Sequence, residues 1–214
     1  ALKKAKIKLN DIAAVAATTG PGFLGGLLVG VIAAKTLSSV LKIPFISINH
    51  LEGHALSAQL EQDINFPYLL LLVSGGHTEF TIVKSFNKYN RIGTTVDDAL
   101  GEAFDKTARL LKLGYPGGPQ IEKLAQSGNE HAYDLPKPLI NEKNSYFSFS
   151  GLKTSVAQLV HKQKKLTPKI KKDIAASFQK TIGDIIKTKT KNAINEFIKI
   201  TNPKNISIVV AGGV

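Results

Sequence analysis

Apolar and polar positions along this chain switch between two periods, and the switching predicts alternating strands and helices. Asp11 to Ala17 and Ile43 to Ile48 read as strands, and Phe23 to about Leu41 reads as a helix between them, entered through the turn Thr18-Thr19-Gly20-Pro21-Gly22. A second helix is expected from His50 to about Leu60, followed by a polar break at Asp63-Ile64-Asn65-Phe66-Pro67. That break predicts two lobes, residues 1–65 and 66–214. Beyond it, Tyr68 to Val73 and Glu79 to Val83 are β-prone runs joined as a hairpin through Ser74-Gly75-Gly76, with a third strand over Tyr89 to Val96. Helices are then expected from Asp97 to Leu111, with Asp97 and Asp98 as cap and dipole partners, from Gln120 to Ser127, and onward from an N-cap at Ser150. An amphipathic pattern from Lys169 to about Ile200, with a break near Gly183, leads to a last strand over Ile206 to Ala211.

Composition narrows the chemistry. With 214 residues and 43% hydrophobic content the chain is long enough for one large or two small cores. It contains no cysteine, so disulfides, thiolate ligands and a thiol nucleophile are excluded, and a reducing compartment such as cytoplasm or an organellar matrix is expected. The formal charge of +12 predicts an anionic partner, nucleic acid among them. Charge alone does not separate that reading from a lysine-rich base composition, because only Arg91 and Arg109 are arginine. The apolar stretch Phe23 to Ala34 is too short to cross a bilayer, so no membrane association is expected. Both ends read as cut: there is no initiator methionine, and the last strand runs straight into Gly212-Gly213-Val214.

Several stretches offer sites. His50 and His54 stand one turn apart if Asn49 opens a helix, the spacing two imidazoles need to share a metal, although paired histidines also occur without one. Glu52 falls on the other side of that helix, unlike the general base of a His-Glu-x-x-His protease. Ser74-Gly75-Gly76 is either a plain turn or a loop presenting backbone N–H groups to a phosphate or carboxylate. Asp105 is placed to accept hydrogen bonds from ribose or simply to be solvated. Gly117 and Gly118, in Tyr-Pro-Gly-Gly-Pro, form a turn that also lets a flat ring approach the backbone. The lysine-dense segment from Lys162 to Lys172 reads as a solvated face or an RNA contact.

Taken in order, His-Leu-Glu-Gly-His, Leu-Val-Ser-Gly-Gly-His-Thr, Asp-Asp-Ala-Leu-Gly-Glu-Ala-Phe-Asp-Lys, Tyr-Pro-Gly-Gly-Pro, Phe-Ser-Phe-Ser-Gly-Leu-Lys-Thr and Val-Ala-Gly-Gly-Val make the chain resemble the TsaD family of tRNA threonylcarbamoyladenosine transferases, formerly called glycoproteases. The resemblance implies an α/β fold of two actin-like, sugar-kinase-like lobes, the first incomplete here. It implies that His50 and His54 hold one divalent iron or zinc ion. It assigns threonylcarbamoyl-adenylate to Leu72, Val73, Ser74, Gly75 and Gly76, its ribose to Asp105 and Glu122, and the nucleotide's contact to Gly118. The implied reaction moves the threonylcarbamoyl group to the exocyclic amine of the tRNA adenosine beside the anticodon and releases AMP. Implied partners are tRNA, a noncatalytic paralogue in a heterodimer and an accessory ATPase.

The chain also departs from the family pattern. An opening Glu-Thr-Ser-Cys-Asp-like strand is absent before Ala1, and the family continues past Ala-Gly-Gly-Val to a nucleotide-binding asparagine and a metal-binding aspartate. A truncated copy whose isolated activity is in question is therefore expected. The competing readings are a noncatalytic scaffold, a metallopeptidase, which the position of Glu52 disfavours, and an ATPase or sugar kinase of the same fold.

Overall fold

The computed structural model describes residues 1–60 and 62–214. The chain divides into two compact units, Ala1–Gln62 and Asp63–Val214.

In the first unit a short helix α1 (Leu2–Ala5) and a 3₁₀ turn (Leu9–Asp11) precede strand β1 (Val15–Gly20). The strand begins later than its apolar pattern suggests, because the Asp11 carboxylate accepts the Lys8 N–H at 2.8 Å and closes a turn there. Helix α2 (Leu24–Leu41) then crosses to β2 (Phe45–Asn49), which pairs in parallel with β1. This βαβ arrangement supplies the long crossover that parallel strands require. The apolar stretch does not stop at Ala34 but continues through α2 to Leu41. By length and composition alone α2 is long and apolar enough to cross a membrane, a test that core helices also pass. Asn49 caps α3 (His50–Ser57), its side-chain oxygen accepting from Leu51 N and Glu52 N, and a 3₁₀ turn (Ala58–Leu60) follows.

The second unit is built on a four-stranded sheet, β5-β4-β3-β6, formed by β3 (Tyr68–Val73), β4 (Thr78–Ser85), β5 (Lys88–Thr94) and β6 (Ile208–Ala211). The first three strands form an antiparallel meander. β6 instead lies parallel to β3, with Leu72 opposite Ala211. Every residue of β3 is buried, which explains its unbroken apolar run, since a strand covered on both faces has no reason to alternate. Helices α4 (Leu100–Leu110), α5 (Gly117–Ala125), α6 (Ser150–Lys162) and α7 (Pro168–Thr201) complete the unit. One core joins Leu69, Phe80, Phe147, Phe149, Phe178 and Phe197, all fully buried; removing each such side chain from water contributes about 2–3 kcal/mol.

Three local expectations change. α7 runs unbroken through Gly183, because its inward face (Phe178, Ile182, Ile185, Phe197) is fixed by packing, and that outweighs the roughly 1 kcal/mol a helical glycine costs. Asp97 and Asp98 do not cap α4, whose N-cap is Ala99. Ser150 is not an N-cap either but the first residue of α6. The Asp97 carboxylate accepts from Ser148 Oγ (2.5 Å), Phe149 N (2.7 Å), Ser150 N (3.2 Å) and Ser150 Oγ (2.8 Å), so it caps α6 from a distant loop. Asp98 pairs with Lys106 (2.9 Å) on α4 and Lys153 (3.0 Å) on α6. Two adjacent aspartates thus tie the β5–α4 loop to the start of α6.

Candidate active site

The parallel pairing of β3 with β6 decides where a site can form in the second unit. Both strands end at the same edge of the sheet, so the loops that leave them converge, the usual location of ligands in α/β folds. Ser74-Gly75-Gly76 leaves β3 there and Gly212-Gly213-Val214 leaves β6. Gly212 has φ of 121°, and any side chain at that position would run into the Val73 carbonyl, so only glycine lets the two exits lie this close.

The β3–β4 turn is held from inside. Ser74 N donates to His77 O (2.8 Å), while Ser74 Oγ accepts from His77 N (3.0 Å) and from Gly76 N (3.4 Å). The Ser74 hydroxyl proton therefore remains free to donate outward. Underneath, α4 begins against the turn: Leu100 N donates to Thr78 Oγ1 (2.8 Å) and Gly101 N to Ser74 O (3.3 Å). A β-carbon on Gly101 would come within 2.8 Å of Gly75 Cα. Nothing lies within 4 Å of the position a side chain would take on Gly75 or Gly76, so these two glycines leave open space rather than serve packing.

Asp105, on α4, accepts the Gly117 N–H at 2.7 Å through Oδ1. It thereby fixes the entry to α5 and brings Gly118 and Glu122 round to face the β3 turn. The result is a cavity of about 450 Å³ lined by Gly75, Asp105, Gly118 and Glu122 together with Phe104 and Gly213, a volume within the range of small-molecule sites. Four of the residues singled out in three separate sequence stretches thus share one wall. Leu72 and Val73 do not reach it; they are buried in β3 behind the turn. Ser74 and Gly76 shape the turn but are not in the lining. Gln179 and Tyr115 also line the cavity and were not singled out in the sequence. Tyr115 sits inside a conspicuous Gly-Pro turn, which is a signal for it, whereas Gln179 lies on a 34-residue helix with no local signal at all.

Below the site, burial alone would raise the Asp97 carboxyl, but hydrogen bonds from Ser148, Phe149 and Ser150 outweigh it and hold the group below the ordinary 3.8. Burial likewise opposes ionisation of Asp98, and its bonds to Lys106 and Lys153 lower it nonetheless. Both carboxylates stay charged as they tie the β5–α4 loop to the start of α6.

His50 and His54 belong to the first unit. They lie on one face of α3 with ring centroids 4.7 Å apart and stacked at 25°. His50 Nδ1 contacts the Pro21 carbonyl at 3.1 Å. A carbonyl only accepts, so Nδ1 is the donor of this contact and Nε2 is the nitrogen not engaged by it, the arrangement of a metal-binding imidazole oriented by a backbone carbonyl. The pair fits part of a metal's donor set. Among the described residues no group of three His, Asp or Glu comes together to complete it.

Comparison with known proteins gives a consistent picture along the whole chain. The sequence profile of the TsaD family, tRNA N6-adenosine threonylcarbamoyltransferase, matches residues 1–214. A protein of that name from Rickettsia rickettsii is 54% identical over 216 residues, covering 100% of this chain and 62% of the relative. Its counterpart from Rickettsia canadensis is 53% identical over 214 residues, covering 100% of this chain and 63% of the relative. The chain thus spans about 62% of the length of the curated relatives it matches. Among solved structures, YeaZ from Pseudomonas aeruginosa matches 42% of this chain and 44% of its own, at 19% identity and a TM-score of 0.34. Component A of (R)-2-hydroxyglutaryl-CoA dehydratase from Acidaminococcus fermentans matches 100% of this chain and 66% of its own, at 17% identity and a TM-score of 0.43.

Proposed function

Because this chain belongs to the TsaD family of tRNA N6-adenosine threonylcarbamoyltransferases, we propose that its second unit holds threonylcarbamoyl-adenylate and that the protein it represents transfers the threonylcarbamoyl group to tRNA. The observation that supports this reading best is the convergence of Gly75, Asp105, Gly118 and Glu122 on one cavity of about 450 Å³. Two carboxylates accept hydrogen bonds from the ribose hydroxyls. Gly118, without a side chain, allows a flat ring against the backbone. The Gly75 N–H and the Ser74 hydroxyl proton donate to the acyl phosphate. In the transfer, the exocyclic nitrogen of the adenosine beside the anticodon attacks the carbamoyl carbon and a new C–N bond forms. The bond from that carbon to the phosphate oxygen breaks, AMP leaves with the electron pair, and the amine proton passes to solvent. No protein nucleophile is needed, in keeping with a chain that has no cysteine.

In the first unit, His50 and His54 would hold one divalent ion, iron or zinc. Such an ion, when bound, supplies Lewis-acid stabilisation of charge on a carbonyl or carboxylate oxygen. The reading places the protein in a reducing, aqueous compartment, with a noncatalytic paralogue and an accessory ATPase as partners. The competing reading is a noncatalytic scaffold, which needs no metal.

Calorimetric titration with AMP tests the first reading. Asp105→Asn with Glu122→Gln should weaken binding at least tenfold, about 1.4 kcal/mol; equal affinity in this double variant would remove the nucleotide from the cavity. The same preparations, analysed for iron and zinc, separate the scaffold: a transferase loses metal in His54→Ala, whereas a scaffold carries none to lose.

A further inference from the structure

A second cavity, of about 360 Å³, adjoins the first and shares Gly75, Asp105 and Tyr115 with it. Its remaining wall includes Glu102, Lys106 and Arg109 from α4. The charges in it are unequally engaged. Lys106 lies 2.6 Å from Glu102 and 2.9 Å from Asp98, so that ammonium is already matched. Asp105 Oδ1 is occupied by the Gly117 N–H. Arg109 is different: among the described residues its guanidinium makes no ion pair or side-chain hydrogen bond, while Arg91, the only other arginine, faces Glu79 at 3.6 Å. Beside it Tyr115 is 85% exposed, an unusual state for an aromatic side chain held in a tight turn.

We propose that this second cavity takes a phosphodiester of the acceptor RNA, with Arg109 pairing the phosphate and Tyr115 stacking a neighbouring base. An unmatched guanidinium presents a planar fork suited to phosphate oxygens. An exposed ring beside a cation is the usual platform for an unpaired, single-stranded base. The shared wall supplies the reason for the location: a nucleotide whose amine must reach an acyl group in the first cavity brings its own backbone past the neighbouring one. The inference rests on the reading of the protein as an RNA-directed transferase.

The test is fluorescence anisotropy of a synthetic anticodon stem-loop RNA bound to the chain over a salt series, alongside calorimetry with AMP. Arg109→Gln should weaken RNA binding about tenfold and lower the slope of log affinity against log salt by about 0.7–0.9, the loss of one phosphate contact. Arg109→Lys should keep most of the slope. Tyr115→Ala should weaken RNA binding roughly tenfold with the slope unchanged, and Tyr115→Trp should restore it. AMP affinity should be unchanged in Arg109→Gln. Wild-type RNA affinity and slope in both loss variants would overturn the proposal, as would a loss of AMP binding in Arg109→Gln with RNA binding intact, which assigns the cavity to the nucleotide's own phosphate. An unsubstituted chain that binds AMP but no RNA would sink the proposal and the acceptor half of the function together. One that binds RNA but no AMP would sink only the nucleotide reading.

Discussion

The units Ala1–Gln62 and Asp63–Val214 are both α/β, yet they differ in how much apolar surface they take out of water. In the second, α7 buries Ile174, Phe178, Ile182, Ile185 and Phe197, and its one fully buried lysine, Lys189, donates to the Glu142 and Asn144 carbonyls. In the first, α2 is apolar on nearly every side, and only Ala34 of its 18 residues is buried. Leu28, Val29, Ile32 and Val40 remain exposed. A helix that is hydrophobic all round belongs in a core or a membrane, so α2 has the composition of a covered helix without the cover. The lesson is that motif content and burial are independent: His50 and His54 stand in the thinly packed unit, and the nucleotide-sized cavity stands in the well-packed one.

That contrast is breakable by substitution. The largest effect is expected for Phe197→Ala, which empties a fully buried position of the second unit and should cost about 3–5 kcal/mol in urea unfolding. A cost below about 1 kcal/mol would mean that the core is looser than its burial implies. Next comes Asp97→Asn, expected to cost about 1 kcal/mol, because an amide nitrogen cannot accept the Ser148 and Ser150 hydroxyl bonds that Oδ2 takes, discounted for the exposure of the group. The sign with pH follows from its lowered carboxyl: the stabilisation is complete above the unfolded value near 3.8 and is lost as pH falls through the lower folded value. Unfolding titrations between pH 5 and 2.5 should therefore show the unsubstituted chain losing more stability than Asp97→Asn, and parallel curves would refute the role assigned to Asp97. The smallest effect is expected for Ile32→Ala, at 60% exposure, within about 0.5 kcal/mol. A larger cost would sharpen the comparison by showing that α2 is covered in solution.

Much of this arrangement is legible in the sequence, for reasons that depend on range. Strands β3 and β4, the turn between them and the helix carrying His50 and His54 follow from periods and caps within a few residues of each other. The grouping of Gly75, Asp105, Gly118 and Glu122 is suggested by the family motifs, but its geometry is not readable from spacing, because it depends on the Asp105–Gly117 bond and on β6. The misreadings share one cause. Asp97 looks like a local cap because its neighbours begin a helix, yet it serves Ser150, 53 residues away. Gly183 looks like a break because propensity is local, while packing along α7 is not.

The pairing of β6 with β3 also bears on how the molecule comes to exist in time. The turn at Gly75 and the segment at Gly213 lie far apart in the chain, on either side of four helices, yet both line one cavity. Contacts of such long sequence separation are slow to form, so a ribosome-bound chain can possess the hairpin and most of the helices before it has a pocket. If the cavity takes AMP as proposed, ligand capture should then coincide with the docking of β6 on β3, and AMP would report when that pairing forms. In a stopped-flow refolding experiment, binding of a fluorescent AMP analogue should appear with the slowest phase; capture in an earlier phase would show that the cavity closes without β6.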